Sequence, residues 1–138
     1  SSMGYVAAVP REGIPTVDIL VCNADASRLI SIQVKTTDWA TRDRGRGKKR
    51  APHHLEFPLG HRAVDHHGTN LFYAFVDLNG VEWAEKQPDV YLVPSAFVAN
   101  YCQGWAEKAK MVRFHMSIDE MQPFKNNWGP IQNALGSA

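Results

Sequence analysis

Asp18, Gln33 and Lys35 are the residues of this 138-residue chain whose types and spacing best suit chemistry. Strand alternation over TVDILVC (16–22) puts Thr16, Asp18, Leu20 and Cys22 on one face. Over LISIQVKT (29–36) it puts Leu29, Ser31, Gln33 and Lys35 together. A hairpin closing around Asp25-Ala26 pairs residues whose numbers sum to 51, so Asp18 faces Gln33 and Lys35 lies on the diagonal. Facing Cβ atoms in such a pair are ~4.5–5.5 Å apart, and diagonal neighbours stay within reach of a long side chain. A slip of one residue would send the set to the other face. A carboxylate, a carboxamide and an ammonium meeting at one hairpin end suit metal-assisted phosphodiester hydrolysis. Mg2+ (or Mn2+) takes oxygen ligands, which Asp18, the Gln33 carbonyl and the Val34 backbone carbonyl can offer. Lys35 can position or deprotonate the attacking water and stabilise developing charge. The plainer alternative is an Asp18–Lys35 salt bridge beside a solvated glutamine.

A second feature adds direction. The formal net charge is +1, yet Arg42–Arg50 (RDRGRGKKR) carries six basic residues and one acid. The rest of the chain is mildly acidic, so the run is a local contact for a polyanion. Arg42, Arg44, Arg46, Lys48, Lys49 and Arg50 can grip phosphates, which gives affinity without sequence information. Trp39, between Lys35 and this run, is a candidate for base stacking, worth ~1–3 kcal/mol per base. Phe57, Trp83 and Trp105 read as packing residues. His53, His54, His61, His66 and His67 lack accompanying cysteines and any HExxH spacing, so loop polarity or phosphate contact is favoured over zinc.

The elements that must hold these residues follow from composition and periodicity. Strands are predicted over 4–9, 16–22, 29–36, 70–78 and 89–93, the last stopped by Pro94. Turn-rich PREGIP and NADASR make the first three an antiparallel meander. Ser95 is an N-cap for a helix over 96–108, with Phe97, Val98, Tyr101, Cys102 and Trp105 at helical spacing. A strand over 111–116 and one or two helical turns after Ser117 complete the pattern. Residues 38–69 read as a long basic and His-rich loop, with a short helix near 60–66. The expectation is one α+β domain over 1–138, of α/β sandwich type, with a central mixed sheet begun by the meander and flanked by helices. Ser1-Ser2 reads as a tag remnant ahead of Met3.

Val17-Asp18, followed after fourteen residues by Gln33-Val34-Lys35, resembles the signature of the PD-(D/E)xK nuclease superfamily, the restriction-endonuclease-like fold. NLFYAFVDLNG and PDVYLVPSAFVA are similar to the later strands and helix of small intron-homing and Holliday-junction-resolving members. The resemblance spans about Tyr5 to Trp105. It implies an αβββαβ core and a Mg2+-dependent DNA endonuclease, with Asp18 and Gln33 as metal ligands and Lys35 as the catalytic lysine. It also implies a homodimer, since cutting two strands needs two sites. Three departures stand out: Val17 replaces a proline, Gln33 replaces an acid, and few residues precede Tyr5 where the family has a helix often bearing a metal-binding Glu. Glu12, Asp38 and Glu56 are the acids that could substitute.

Composition excludes other classes. Hydrophobic residues at 44% and charged ones at 21% are ordinary globular usage. No apolar run is long enough to cross a bilayer and no signal-peptide pattern opens the chain. Cys22 and Cys102 lack CxxC spacing and read as reduced core residues, hence a cytoplasmic protein. Two other functions remain open: a non-catalytic nucleic-acid-binding module that keeps the fold, and a protein-interaction domain using the aromatic helix near Trp105.

Overall fold

The computed structural model describes residues 5–8, 19–59, 68–80, 87–102 and 112–136. Strands β1 (Tyr5–Ala8), β2 (Ile19–Asn23) and β3 (Leu29–Thr37) form the expected antiparallel meander. The β2–β3 turn is set by its polar side chains. Asn23 N–H donates to the Arg28 carbonyl, Arg28 N–H returns a bond to Asn23 Oδ1, and Asp25 Oδ1 accepts from both the N–H and hydroxyl of Ser27. These local bonds satisfy the turn backbone and hold the register.

β3 then pairs in parallel with β6 (Leu71–Asp77), and β6 pairs antiparallel with β7 (Asp89–Pro94). The sheet order is β1-β2-β3-β6-β7, a mixed five-stranded sheet. β6 is the apolar run LFYAFVD, which suits a strand covered on both faces. On one face Ile30, Ile32, Phe72, Ala74 and Leu92 pack against Ile131 of helix α3 (Gly129–Ala134) and its C-cap residue Leu135. On the other, Tyr73, Phe75, Tyr91 and Val93 form a larger core. An α+β architecture is what the sequence predicts, but this second face is not covered by helices alone.

It is covered mainly by a second sheet. β4 (Thr41–Arg44), β5 (Ala51–Leu59) and β8 (Val112–Ser117) form a three-stranded antiparallel sheet in the order β4-β5-β8. Leu55, Phe57, Leu59 and Phe114 point from it into the larger core, joined by Val98 of α1 (Ser95–Cys102) and Met121 of α2 (Ile118–Met121). Residues 38–59 are therefore corrected from irregular loop to hairpin, and the short helix near 60–66 lies outside the described residues. Prolines are tolerated in β5 because of where their missing donors fall. Glu56 N–H bonds the Ala40 carbonyl on the β4 side. Pro58 faces the same way two residues on, past the end of β4, and Pro52 sits at the bulge between Arg42 and Asp43.

The hairpin tip carries a single turn of 3-10 helix, Gly47–Lys49, between β4 and β5. Gly45 has φ +98° there, and a Cβ at this position would lie 2.5 Å from the Lys49 carbonyl oxygen. Gly45→Ala is expected to cost about 1–3 kcal/mol and to loosen the tip, read as a lower thermal midpoint and faster amide exchange over residues 44–50.

Candidate functional site

The β2–β3 register is the sum-of-51 register: Ile19 faces Ile32, Leu20 faces Ser31, Val21 faces Ile30 and Cys22 faces Leu29. Asp18, the next residue, lies outside the described residues, as do its expected partnership with Gln33 and the candidate acid Glu12. Gln33 and Lys35 are described. They stand on one face of β3, opposite Tyr73 and Phe75 of β6 in the parallel ladder. Ile30, Ile32 and Val34 occupy the other face, toward α3. Gln33 and Lys35 are both half-buried. Neither side chain has a hydrogen bond or ion pair with another described residue. Among the described residues these two polar ends have no partner, and they stand beside aromatic residues of β6. Val34 contributes through its backbone alone, because its side chain packs with the smaller core.

Two residues further along this face, Thr37 lines a cleft of about 180 Å³ with Arg42, Glu56, Phe57, Pro58 and Arg113. Arg42 Nε donates to Glu56 Oε2 at 3.0 Å, and its Nη1 to the Trp39 and Thr41 carbonyls at 2.6 and 3.2 Å. Arg113 Nη1 reaches the same carboxylate oxygen at 3.5 Å. Glu56 is thus paired with two guanidinium groups. Asp38, the other candidate, is exposed in the turn after β3, where its carbonyl accepts from Gly80 N–H.

The basic run divides by partner. Arg50 bonds Asp43 at 3.2 Å, and Arg44 Nη1 lies 3.5 Å from His53 Nε2. Arg46, Lys48 and Lys49 at the hairpin tip are exposed and have no ion pair among the described residues. Trp39 is 53% exposed and lays its indole edge over Gly80. Phe57 is core, as its sequence context suggests. Trp83 and Trp105 lie outside the described residues.

His53 and His54 follow one another along β5, with their Nδ1 atoms 3.3 Å apart, and the His54 ring is 5.5 Å from that of His115. Partial burial, followed by the positive potential of His115 and His53, lowers the His54 pKa below the ordinary imidazole value. No three His, Cys, Asp or Glu side chains gather into a metal-binding group among the described residues. His61, His66 and His67 lie outside them.

One residue of this end of the molecule escaped the sequence reading. Asp77, only 2% exposed, closes β6 opposite Thr37. Its Oδ1 accepts from Ala40 N–H at 3.2 Å and Asn79 N–H at 2.9 Å, tying the turn after β3 to the turn after β6. The DLNG turn signature at 77–80 was the available signal. Its neighbour Tyr91 has a pKa pushed up to about 12, first by burial and then by Asp89 and Asp77.

No protein-family model, no curated protein and no solved structure matches this chain. Among the described residues no helix is long and apolar enough to cross a membrane.

Proposed function

We propose that this chain is a metal-dependent DNA endonuclease of PD-(D/E)xK type, with Asp18, Gln33 and Lys35 as its site. The observation that supports the reading is the β2–β3 register, which pairs Ile19 with Ile32 as the sum-of-51 expectation requires; on that expectation Asp18 would face Gln33 with Lys35 beside them. A parallel strand following an antiparallel meander also agrees with the core that the family resemblance implies. The donor chemistry fits Mg2+ or Mn2+ only through Asp18, because Gln33 and the Val34 carbonyl bring neutral oxygens and an Mg2+ site takes a carboxylate. Asp18, Gln33 and Val34 would hold the ion, which would supply Lewis-acid stabilisation of the phosphoryl oxygens.

The chain's own groups do the rest. Lys35 holds its ammonium against the attacked phosphate, steadying the water and the negative charge that grows as its oxygen bonds phosphorus. The attacking water releases a proton to solvent as its oxygen bonds phosphorus, one P–O ester bond breaks, and the departing oxygen takes up a proton from solvent. Arg46, Lys48 and Lys49 hold the DNA backbone, and Trp39 offers a face for an unstacked base. The same reading places the protein in the cytoplasm, where Cys22 stays a free thiol, and makes it a homodimer when both strands are cut.

A second reading rests on one observation: Glu56, which lines the Thr37 cleft, is engaged by Arg42 and Arg113, and no carboxylate joins Gln33 among the described residues. It makes the chain a nucleic-acid-binding module without chemistry. Supercoiled plasmid incubated with and without Mg2+ or Mn2+, run as a cleavage gel and a shift gel, separates the two. Metal-dependent nicking supports the enzyme, a shift with no nicking supports the module, and neither effect overturns both. Replacing Arg46, Lys48 and Lys49 together by glutamine is expected to reduce the slope of log affinity against log salt by about 2.7 on duplex DNA, at ~0.9 per phosphate contact.

A further inference from the structure

Arg42 and Arg113 approach one carboxylate from β4 and β8, the two strands that flank β5. The group is a cradle rather than a closed ion pair. Two guanidinium groups against one carboxylate leave a net charge of +1 in a cleft of about 180 Å³. Arg42 is fixed by three hydrogen bonds through Nε and Nη1, and its Nη2 has no partner among the described residues. Nε and Nη2 of Arg113 and the Thr37 hydroxyl are equally unspent there. Arg42, already oriented by its three hydrogen bonds, can bind a tetrahedral oxyanion with little further loss of freedom, while Arg113, 54% exposed, adds a mobile second charge. Position adds a reason. Thr37 follows Lys35 by two residues on the same strand face, about 6.6 Å at the rise of a β-strand, comparable to one nucleotide step along a chain.

We propose that this cleft holds a backbone phosphate of the nucleic acid next to the one attacked at Lys35, with Arg113, Arg42 and Thr37 as contacts and Glu56 as a positioning residue. This inference rests on the endonuclease reading above and joins residues from four strands, β3, β4, β5 and β8, that no motif connects. Glu56 aims both guanidinium groups, so its replacement acts through them.

The test uses the full chain, a labelled DNA duplex and, separately, inorganic phosphate at low ionic strength, with thermal melts of every variant. Arg113→Gln is expected to weaken duplex binding about tenfold on unrelated sequences and to reduce the salt slope by about one. It should also abolish saturable phosphate binding, with Arg113→Lys recovering part of both. Glu56→Gln keeps an acceptor for the arginines and removes the negative charge, so phosphate should bind more tightly; a purely structural ion pair predicts no phosphate binding in either form. If the parent chain binds and cuts DNA while Arg113→Gln alters neither the slope nor the phosphate titration, the cleft assignment is overturned and the endonuclease stands. If the parent chain neither binds nor cuts DNA, the endonuclease reading falls. Saturable phosphate binding lost in Arg113→Gln would then mark a small-anion site and overturn the nucleic-acid assignment of the cleft.

Discussion

Replacing Lys35 by alanine is expected to lower plasmid cleavage in Mg2+ by about 10²–10³-fold, the usual loss when one charge-stabilising group is removed from a transition state. Lys35 stands on the same face of β3 as Gln33 and makes no ion pair with a described residue, so its removal breaks no known structural contact. Duplex affinity in a shift gel and the thermal midpoint should therefore stay close to the parent values, because the hairpin cations still hold the backbone. Lys35→Arg keeps the charge on a longer, planar group and should recover only part of the rate. Parent-like cutting by purified Lys35→Ala would remove the lysine from the mechanism. A collapse of folding instead of rate would make it a structural partner of Asp18.

The largest stability effect belongs to Phe75, the ring at the centre of the larger core. It is 0% exposed and stacks between Tyr73 at 5.6 Å and Phe114 at 4.8 Å, with Phe57 at 5.0 Å. Phe75→Ala removes the ring joining the two sheets and leaves a void that rings on three strands cannot fill without leaving their rotamers. The expected cost is ~3–5 kcal/mol, or a midpoint lowered by roughly 10–15 °C in calorimetry. Trp39→Ala is the control: a large ring that is half exposed should change stability by no more than about 0.5 kcal/mol while weakening DNA binding. A Phe75→Ala midpoint within two or three degrees of the parent would mean the sheets are held together elsewhere.

What could be read from the sequence divides along the range of the interactions. The β2–β3 register was legible because Asn23, Asp25, Ser27 and Arg28 close their turn among themselves. Local chemistry fixes such a turn before any distant partner is present. The parallel pairing of β3 with β6 was not legible, since thirty-three residues separate them and alternation carries no sign of direction. β5 was missed for a different reason. Pro52 and Pro58 argue against a strand until the short reach of β4 is known, and that length follows from the bulge at Arg42 and Asp43. Helix α3 was missed despite Pro130 at its first turn, because six residues hold too few periods to show a face. Within the site, Gln33 and Lys35 were found by alternation. Glu56 was noticed as an acid, but its arginines sit on the two strands flanking β5, Arg113 of them 57 residues away, and only pairing on both sides of β5 brings them to it.

Pro58 has one more effect. Beyond the end of β4, no described residue hydrogen-bonds the β5 backbone of Phe57–Leu59 on that flank, which is where an intruding chain would zip on. The ring of Pro58 removes the amide hydrogen that would greet it. A second strand laid along that flank would find no donor at Pro58, which disfavours edge-to-edge annealing of two smaller sheets there.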